Sequence, residues 1–239
     1  MGAPPADPAA DLAAAPLLDR PAFIRANTAL IAPPHVPELR LHLAVEAMDL
    51  WERTEEELGE MGLPPPFWAF AWAGGQALAR HILDAPELVA GRRVLDFAAG
   101  SGVVAIAAKR AGAASVTASE IDAFALAAIT LNAAENGVTI ELETRDVLDP
   151  ALAAEFAGFD VVLAGDVFYE KPMADRVLPF LKACEARGAL VLFGDPGRSY
   201  LPKTGIEKLA TYDVAVSRAL EDSEVKRTSV WRFSVPHPG

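Results

Sequence analysis

Three carboxylates recur at the ends of apolar segments in the middle of this chain. Asp96 lies in the run RRVLDF (residues 92–97), Glu120 directly follows ASVTAS (114–119), and Asp146 comes just after VTIELET (138–144). Between the first run and the stretch after it stand Ala98, Ala99, Gly100, Ser101 and Gly102. Glycines at 100 and 102 let the backbone turn tightly against a ligand at the start of a helix. A dinucleotide fingerprint would place glycines at 98, 100 and 103 and offer the helix N-terminus to a pyrophosphate. This chain has Ala98 and Val103 there, with Asp96 two residues earlier. A carboxylate in that position repels phosphate and attracts a cation.

S-adenosylmethionine answers that description, with an ammonium, a sulfonium and no phosphate. Glu120 follows Gly100 by 120 − 100 = 20 residues, the spacing at which an acid reaches ribose hydroxyls in such folds. Asp146 is placed to accept from an adenine amino group, with Val147 and Leu148 as apolar neighbours. The alternative is a turn whose glycines serve packing alone. Three acids at the carboxyl edge of successive strands, where open α/β sheets bind ligands, favour the cofactor reading. Ala98, Gly100, Gly102 and Ile121 join the acids as candidate cofactor contacts.

A second group follows the fourth apolar segment: Gly165, Asp166, Val167, Phe168, Tyr169 and Glu170. Asp166 would bind an incoming ammonium and orient it, or cap the next helix, since aspartate is a preferred N-cap. Tyr169 and Glu170 are further candidates beside it. Upstream, Trp68 and Trp72 stand in the aromatic run PFWAFAWAGGQALA (66–79). Trp68 reads as core. Gly74 and Gly75 are expected to open a helix over residues 76–83. The run Asp195-Pro196-Gly197-Arg198 follows the fifth strand and reads as a turn.

The elements that must hold these residues alternate. Strands are expected over 92–97, 114–119, 138–144, 159–164 and 189–193, and helices over 102–111, 123–136 and 174–186. Gly137 punctuates the second of these helices. Such alternation implies right-handed crossovers and a mostly parallel sheet with helices on both faces. Residues 213–220 and 226–235 read instead as an antiparallel hairpin joined by an acidic loop. Leu39, Leu41 and Leu43 suggest a short strand before the sheet. Residues 1–20 read as a disordered tail and 21–239 as one domain. Glu52–Glu60 reads as a solvated face.

Composition sets the outer bounds. The charge is 21 − 33 = −12, which opposes binding to nucleic acid or an anionic membrane. Cys184 is the only cysteine among 239 residues, so an internal disulfide is excluded and a cysteine metal site disfavoured. The uncharged stretch 61–79 is broken by Pro64, Pro65 and Pro66 and by two glycines, so it is no spanning helix. A cytoplasmic monomer is expected.

The glycine turn, the acids and the final hairpin resemble the class I S-adenosylmethionine-dependent methyltransferases, over residues 65–235. The resemblance implies a seven-strand Rossmann-like methyltransferase fold in which the hairpin supplies strands six and seven. This chain departs from the family's glycine motif at Ala98. Asp166-x-x-Tyr169 and the 66–79 run resemble methyltransferase family 16, especially its branch acting on lysines of the electron transfer flavoprotein beta subunit. By that resemblance Trp72 packs against the cofactor and Gly165 borders it, while Asp166 and Tyr169 face the acceptor lysine. Ribosomal-protein lysine methylation, small-molecule methylation and a non-catalytic cofactor-binding module are the alternatives.

Overall fold

The computed structural model describes residues 19–45, 65–152, 155–216 and 224–234. The expectations for 1–18, for the acidic 52–60 segment and for the loop residues 221–223 lie outside the described residues. Asp19, expected in the tail, belongs to the fold: its side chain accepts the Ala22 N–H (3.0 Å) and caps α1 (Arg20–Asn27). β1 (Ala29–Ile31) then pairs antiparallel with β2 (Leu41–Leu43).

The main sheet runs through β3 (Arg93–Phe97), β4 (Ser115–Ser119), β5 (Glu141–Glu143), β6 (Val161–Gly165), β7 (Leu190–Asp195), β8 (Ile206–Ala215) and β9 (Val225–Phe233). Its order is β5-β4-β3-β6-β7-β9-β8, with β3 to β7 parallel and β9 antiparallel to both β7 and β8. The expected seven-strand sheet with a closing hairpin is present. Its order reverses between β3 and β6, and the crevice at such a switch point is where doubly wound sheets bind ligands.

The connecting helices are α2 (Ala73–Asp84), α3 (Val103–Arg110), α4 (Ala123–Glu135) and α5 (Lys171–Ala186). Period-two alternation along the strands divides the core. Val94, Leu163 and Leu192 pack with Ala77, Leu78, Ile82 and Ile106 from α2 and α3 on one face. Leu95, Val162 and Phe193 pack with Val177, Leu181 and Cys184 from α5 on the other. A third cluster joins Ile24 of α1 to Phe124 of α4 through Trp68, which stacks on Phe124 with centroids 6.0 Å apart. Trp68 is core, as expected.

α2 starts three residues before its expected position, so Gly74 and Gly75 lie within it. The reason is close packing. A Cβ on Gly74 would collide with the Gly194 carbonyl of β7, and one on Gly165 of β6 would reach the Gly75 Cα at 2.9 Å. The glycines let the first turn of α2 lie directly on two strand ends.

Candidate active site

The turn after β3 is built around Asp96. Its side chain is 1% exposed, and Oδ2 accepts the Ala105 N–H at 2.9 Å. Ala105 is the third residue of α3, whose N-cap, Gly102, has φ 79° and no side-chain cap of its own. A carboxylate from the strand therefore takes the helix-terminal donor that a phosphate would otherwise seek. Burial pushes the Asp96 carboxyl up to about 8, and the charge of Glu120 adds to the effect. Ala98 and Gly100 both turn through the left-handed region, at φ 52° and 53°. Nothing lies within 4 Å of where a Gly100 Cβ would stand.

A cavity opens over this turn, lined by Phe70, Trp72, Gly75, Asp96, Ala98, Ala99, Gly100, Ser101, Val103, Val104 and Gly165. It draws together five of the expected cofactor contacts: Trp72, Asp96, Ala98, Gly100 and Gly165. Among the described residues no Lys or Arg contributes to the lining. A small, aromatic-capped cavity with a buried carboxylate suits a ligand end bearing positive charge and lacking phosphate.

The remaining expected contacts are not among the residues that line the cavity. Gly102 is drawn under α4, where a Cβ would meet Ile129 at 3.2 Å. Glu120 spends both oxygens on backbone: Oε2 accepts the Gly100 N–H (3.1 Å), and Oε1 accepts those of Ile121 (2.8 Å) and Asp122 (3.2 Å). It thereby fixes the glycine turn. Ile121 is 71% exposed at the strand end. Asp146 pairs with Arg176 of α5 (2.6 Å) and accepts the Leu148 N–H (3.0 Å), while Val147 is buried beside Phe97 and Phe156.

Asp166 does not cap α5, because Glu170 holds the N-cap position. It stands instead at φ 55°, just past β6, with its backbone N–H on the Gly194 carbonyl (2.9 Å). Oδ2 accepts the N–H groups of Gly74 and Gly75 at the start of α2. Oδ1 accepts a fork from Arg198, with Nε at 3.0 Å and Nη2 at 2.8 Å. Tyr169, partly exposed, packs against Phe67 with centroids 5.9 Å apart. Burial and the charges of Glu170 and Glu120 hold its phenol above the usual range, hence neutral. Phe67 also packs against Trp72 (6.0 Å) and accepts the indole N–H on its carbonyl (3.0 Å).

Sequence reasoning passed over several groups. Phe70 lines the cavity from within the aromatic run. Asn132 is fully buried in α4; its Oδ1 accepts the His42 N–H (2.7 Å) and its Nδ2 donates to the Ser101 carbonyl (2.8 Å). An asparagine inside an otherwise apolar helical stretch was the signal for it. Among the described residues no group of His, Cys, Asp and Glu is arranged to hold a metal ion, and no helix is long and apolar enough to cross a membrane.

Comparison with known proteins adds to this geometry. The family described as Ribosomal protein L11 methyltransferase (PrmA) matches residues 78–167. The electron transfer flavoprotein beta subunit lysine methyltransferase of Danio rerio is 35% identical over 218 residues, covering 89% of this chain and 82% of that protein. The Homo sapiens protein of the same name is 34% identical, covering 89% and 81%. Ribosomal protein L11 methyltransferase of Alteromonas mediterranea is 33% identical but covers 64% of this chain and 49% of its own length. Among solved structures, ribosomal protein L11 methylase from Lactobacillus delbrueckii subsp. bulgaricus is similar with a TM-score of 0.45 and 22% identity, covering 66% of this chain and 77% of that one.

Proposed function

This chain belongs to the family of electron transfer flavoprotein beta subunit lysine methyltransferases, and we propose that it methylates lysine side chains of that flavoprotein subunit with S-adenosylmethionine as donor. One observation carries the choice of donor: the buried Asp96 carboxyl, at the end of β3, accepts the Ala105 N–H in the first turn of α3 and lines a cavity to which no Lys or Arg contributes among the described residues. Asp96 would hold the ammonium of the cofactor's amino acid end. The backbone of Ala98 and Gly100 would lie along it, and Trp72 and Gly165 would close the opposite side. Glu120 would support the ribose region through the turn it fixes, with Ile121, Asp146 and Val147 bordering the adenine.

When bound, the cofactor supplies an electrophilic methyl group on a sulfonium. The chain supplies position, since an in-line displacement depends on holding the acceptor at about 3 Å and in line. A lysine ammonium has no lone pair, so its proton must pass to solvent before the amine can accept the methyl group, which near neutral pH costs about 4 kcal/mol from a pKa of about 10.4. Asp166 would orient the arriving ammonium. Its carboxylate is fixed by Arg198 and two backbone N–H groups, so it offers the arriving group an acceptor of fixed orientation. Tyr169, neutral and packed on Phe67, would form the channel wall, with Glu170 beside it.

The test is to incubate purified chain, S-adenosylmethionine and the flavoprotein beta subunit, then follow the subunit by intact-protein mass spectrometry. Mass gain in whole-methyl steps that map to lysine is expected. An unmodified subunit beside a methylated ribosomal protein would overturn the substrate and favour the ribosomal alternative.

A further inference from the structure

Two loops past the ends of β6 and β7 are stitched together beside the cavity. Strand pairing brings Gly165 level with Gly194, so Asp166 and Asp195 leave adjacent strands side by side. Asp195 Oδ1 accepts the N–H groups of Gly197 (2.6 Å) and Arg198 (2.7 Å), which fixes where the Arg198 side chain begins. The Tyr200 N–H reaches the Phe168 carbonyl (3.2 Å), closing the second loop onto the first. The Arg198 side chain then crosses to Asp166 as a fork, with side-chain exposures of 21% and 9%. Its guanidinium also lies over the Trp72 ring, 5.9 Å from the centroid.

Arg198 thus touches both a wall of the cofactor cavity and the carboxylate read as facing the acceptor. We infer that Arg198 is a positioning residue for methyl transfer: its fork holds the Asp166 carboxylate in one orientation, with the other oxygen anchored on α2, and it acts on the acceptor through Asp166. This rests on the reading of Asp166 given above. Two guanidinium N–H groups converge on Oδ1 while Oδ2 is held by the Gly74 and Gly75 N–H groups, so the two anchors together set the position and plane of the carboxylate. A lysine ammonium, a rotating point charge, does not reproduce the planar pair of donors on Oδ1. A carboxylate left to rotate would present the acceptor amine off the line of displacement, a loss that falls on turnover rather than on binding.

The experiment is methyl-transfer kinetics on the flavoprotein beta subunit for the wild type, Arg198→Ala and Arg198→Lys, with affinity for S-adenosylhomocysteine measured in parallel. For Arg198→Ala, kcat should fall about 100-fold while KM for the protein and cofactor affinity stay within about threefold. Added guanidinium ion should restore at least about tenfold of that loss, and ammonium at equal ionic strength should not. Arg198→Lys keeps the charge and with it the fold, and its kcat should still be down at least about tenfold. A kcat for Arg198→Lys within threefold of wild type overturns the inference, because any cation would then suffice. Failure of guanidinium to rescue Arg198→Ala overturns it as well. If the wild type itself transfers no methyl, the proposed function fails, whatever the variants do.

Discussion

The carboxylate of Asp96 and the backbone N–H of Ala105 meet at 2.9 Å, joining the end of β3 to the first turn of α3 beneath the cavity. That bond satisfies one helix-terminal donor and keeps a carboxyl buried where a cationic ligand can find it. With a carboxyl held up at about 8 by burial, the cofactor-free protein carries a proton there at neutral pH. A cation needs the ionised form. Cofactor affinity should therefore rise as pH climbs from 6.5 toward 8, by close to tenfold per unit well below the pKa, and level off above it. Calorimetry at pH 7 in buffers of different ionisation heat should record proton release on binding. Pure Asp96→Asn protein should lose the pH dependence together with most of its affinity.

The same carboxyl predicts a trade between binding and stability. Its folded pKa lies above its unfolded value, so the native state binds the extra proton between about 4 and 8. Stability without cofactor should be highest at the acid end of that window and decline as pH rises through it. Asp96→Asn should flatten this decline, leaving the part that Asp122 and Asp195 contribute with carboxyls raised to about 6. It should also raise the melting temperature at pH 8.5, by about 1–3 kcal/mol in stability, while binding is lost. Thermal unfolding at pH 5 and pH 8.5 reads both effects.

Gly74 and Gly100 should respond oppositely to alanine. A Cβ at Gly74 has no room beside the Gly194 carbonyl and the Asp166 carboxylate, so α2 would have to leave the strand ends. Gly74→Ala should cost about 2–4 kcal/mol of stability. Gly100→Ala meets nothing within 4 Å and bears only the strain of φ 53°, about 1–2 kcal/mol. Its methyl group would enter the cavity wall, so its larger effect should be on cofactor affinity. Denaturant melts and cofactor titration separate the two.

Asp166→Asn should lower kcat about 100-fold while leaving cofactor affinity within about threefold, if the carboxylate orients the acceptor. Removing its charge also weakens the buried ion pair with Arg198, which should reduce stability by about 1–3 kcal/mol. Methyl-transfer rates at saturating cofactor give the first number and denaturant unfolding the second.

Asn132 ties the glycine turn to the small outer sheet, through Ser101 on one side and His42 on the other. Asn132→Ala should leave both backbone groups short of a buried partner and cost about 2–4 kcal/mol. Cofactor affinity should fall with it. An unchanged melting temperature would argue against this tie.

Elements whose local pattern agrees with their environment were readable from sequence. β3, α3, β4 and α4 fall within a residue or two of expectation because buried apolar runs, glycine punctuation and the fold's rhythm coincide there. β8 begins at Ile206 rather than 213, because a register irregularity between Lys208 and Ala210 breaks the alternation that marks a strand. α5 begins at Lys171 rather than 174, since Pro172 is compatible with a first turn. Only Glu141–Glu143 of the expected third strand joins the sheet. Within the site, the buried carboxylate and the glycine turn were legible from residue type and spacing. Side-chain partnerships were not: nothing in the order of residues says that Asp166 meets Arg198 or that Glu120 turns back to Gly100, because those bonds depend on which strands are neighbours.

Calorimetric titration with S-adenosylhomocysteine and, separately, with NAD tests the central claim most directly. Saturable heat with the first, with proton release near pH 7, and none with NAD is the predicted result. Heat with NAD and none with S-adenosylhomocysteine would contradict the account.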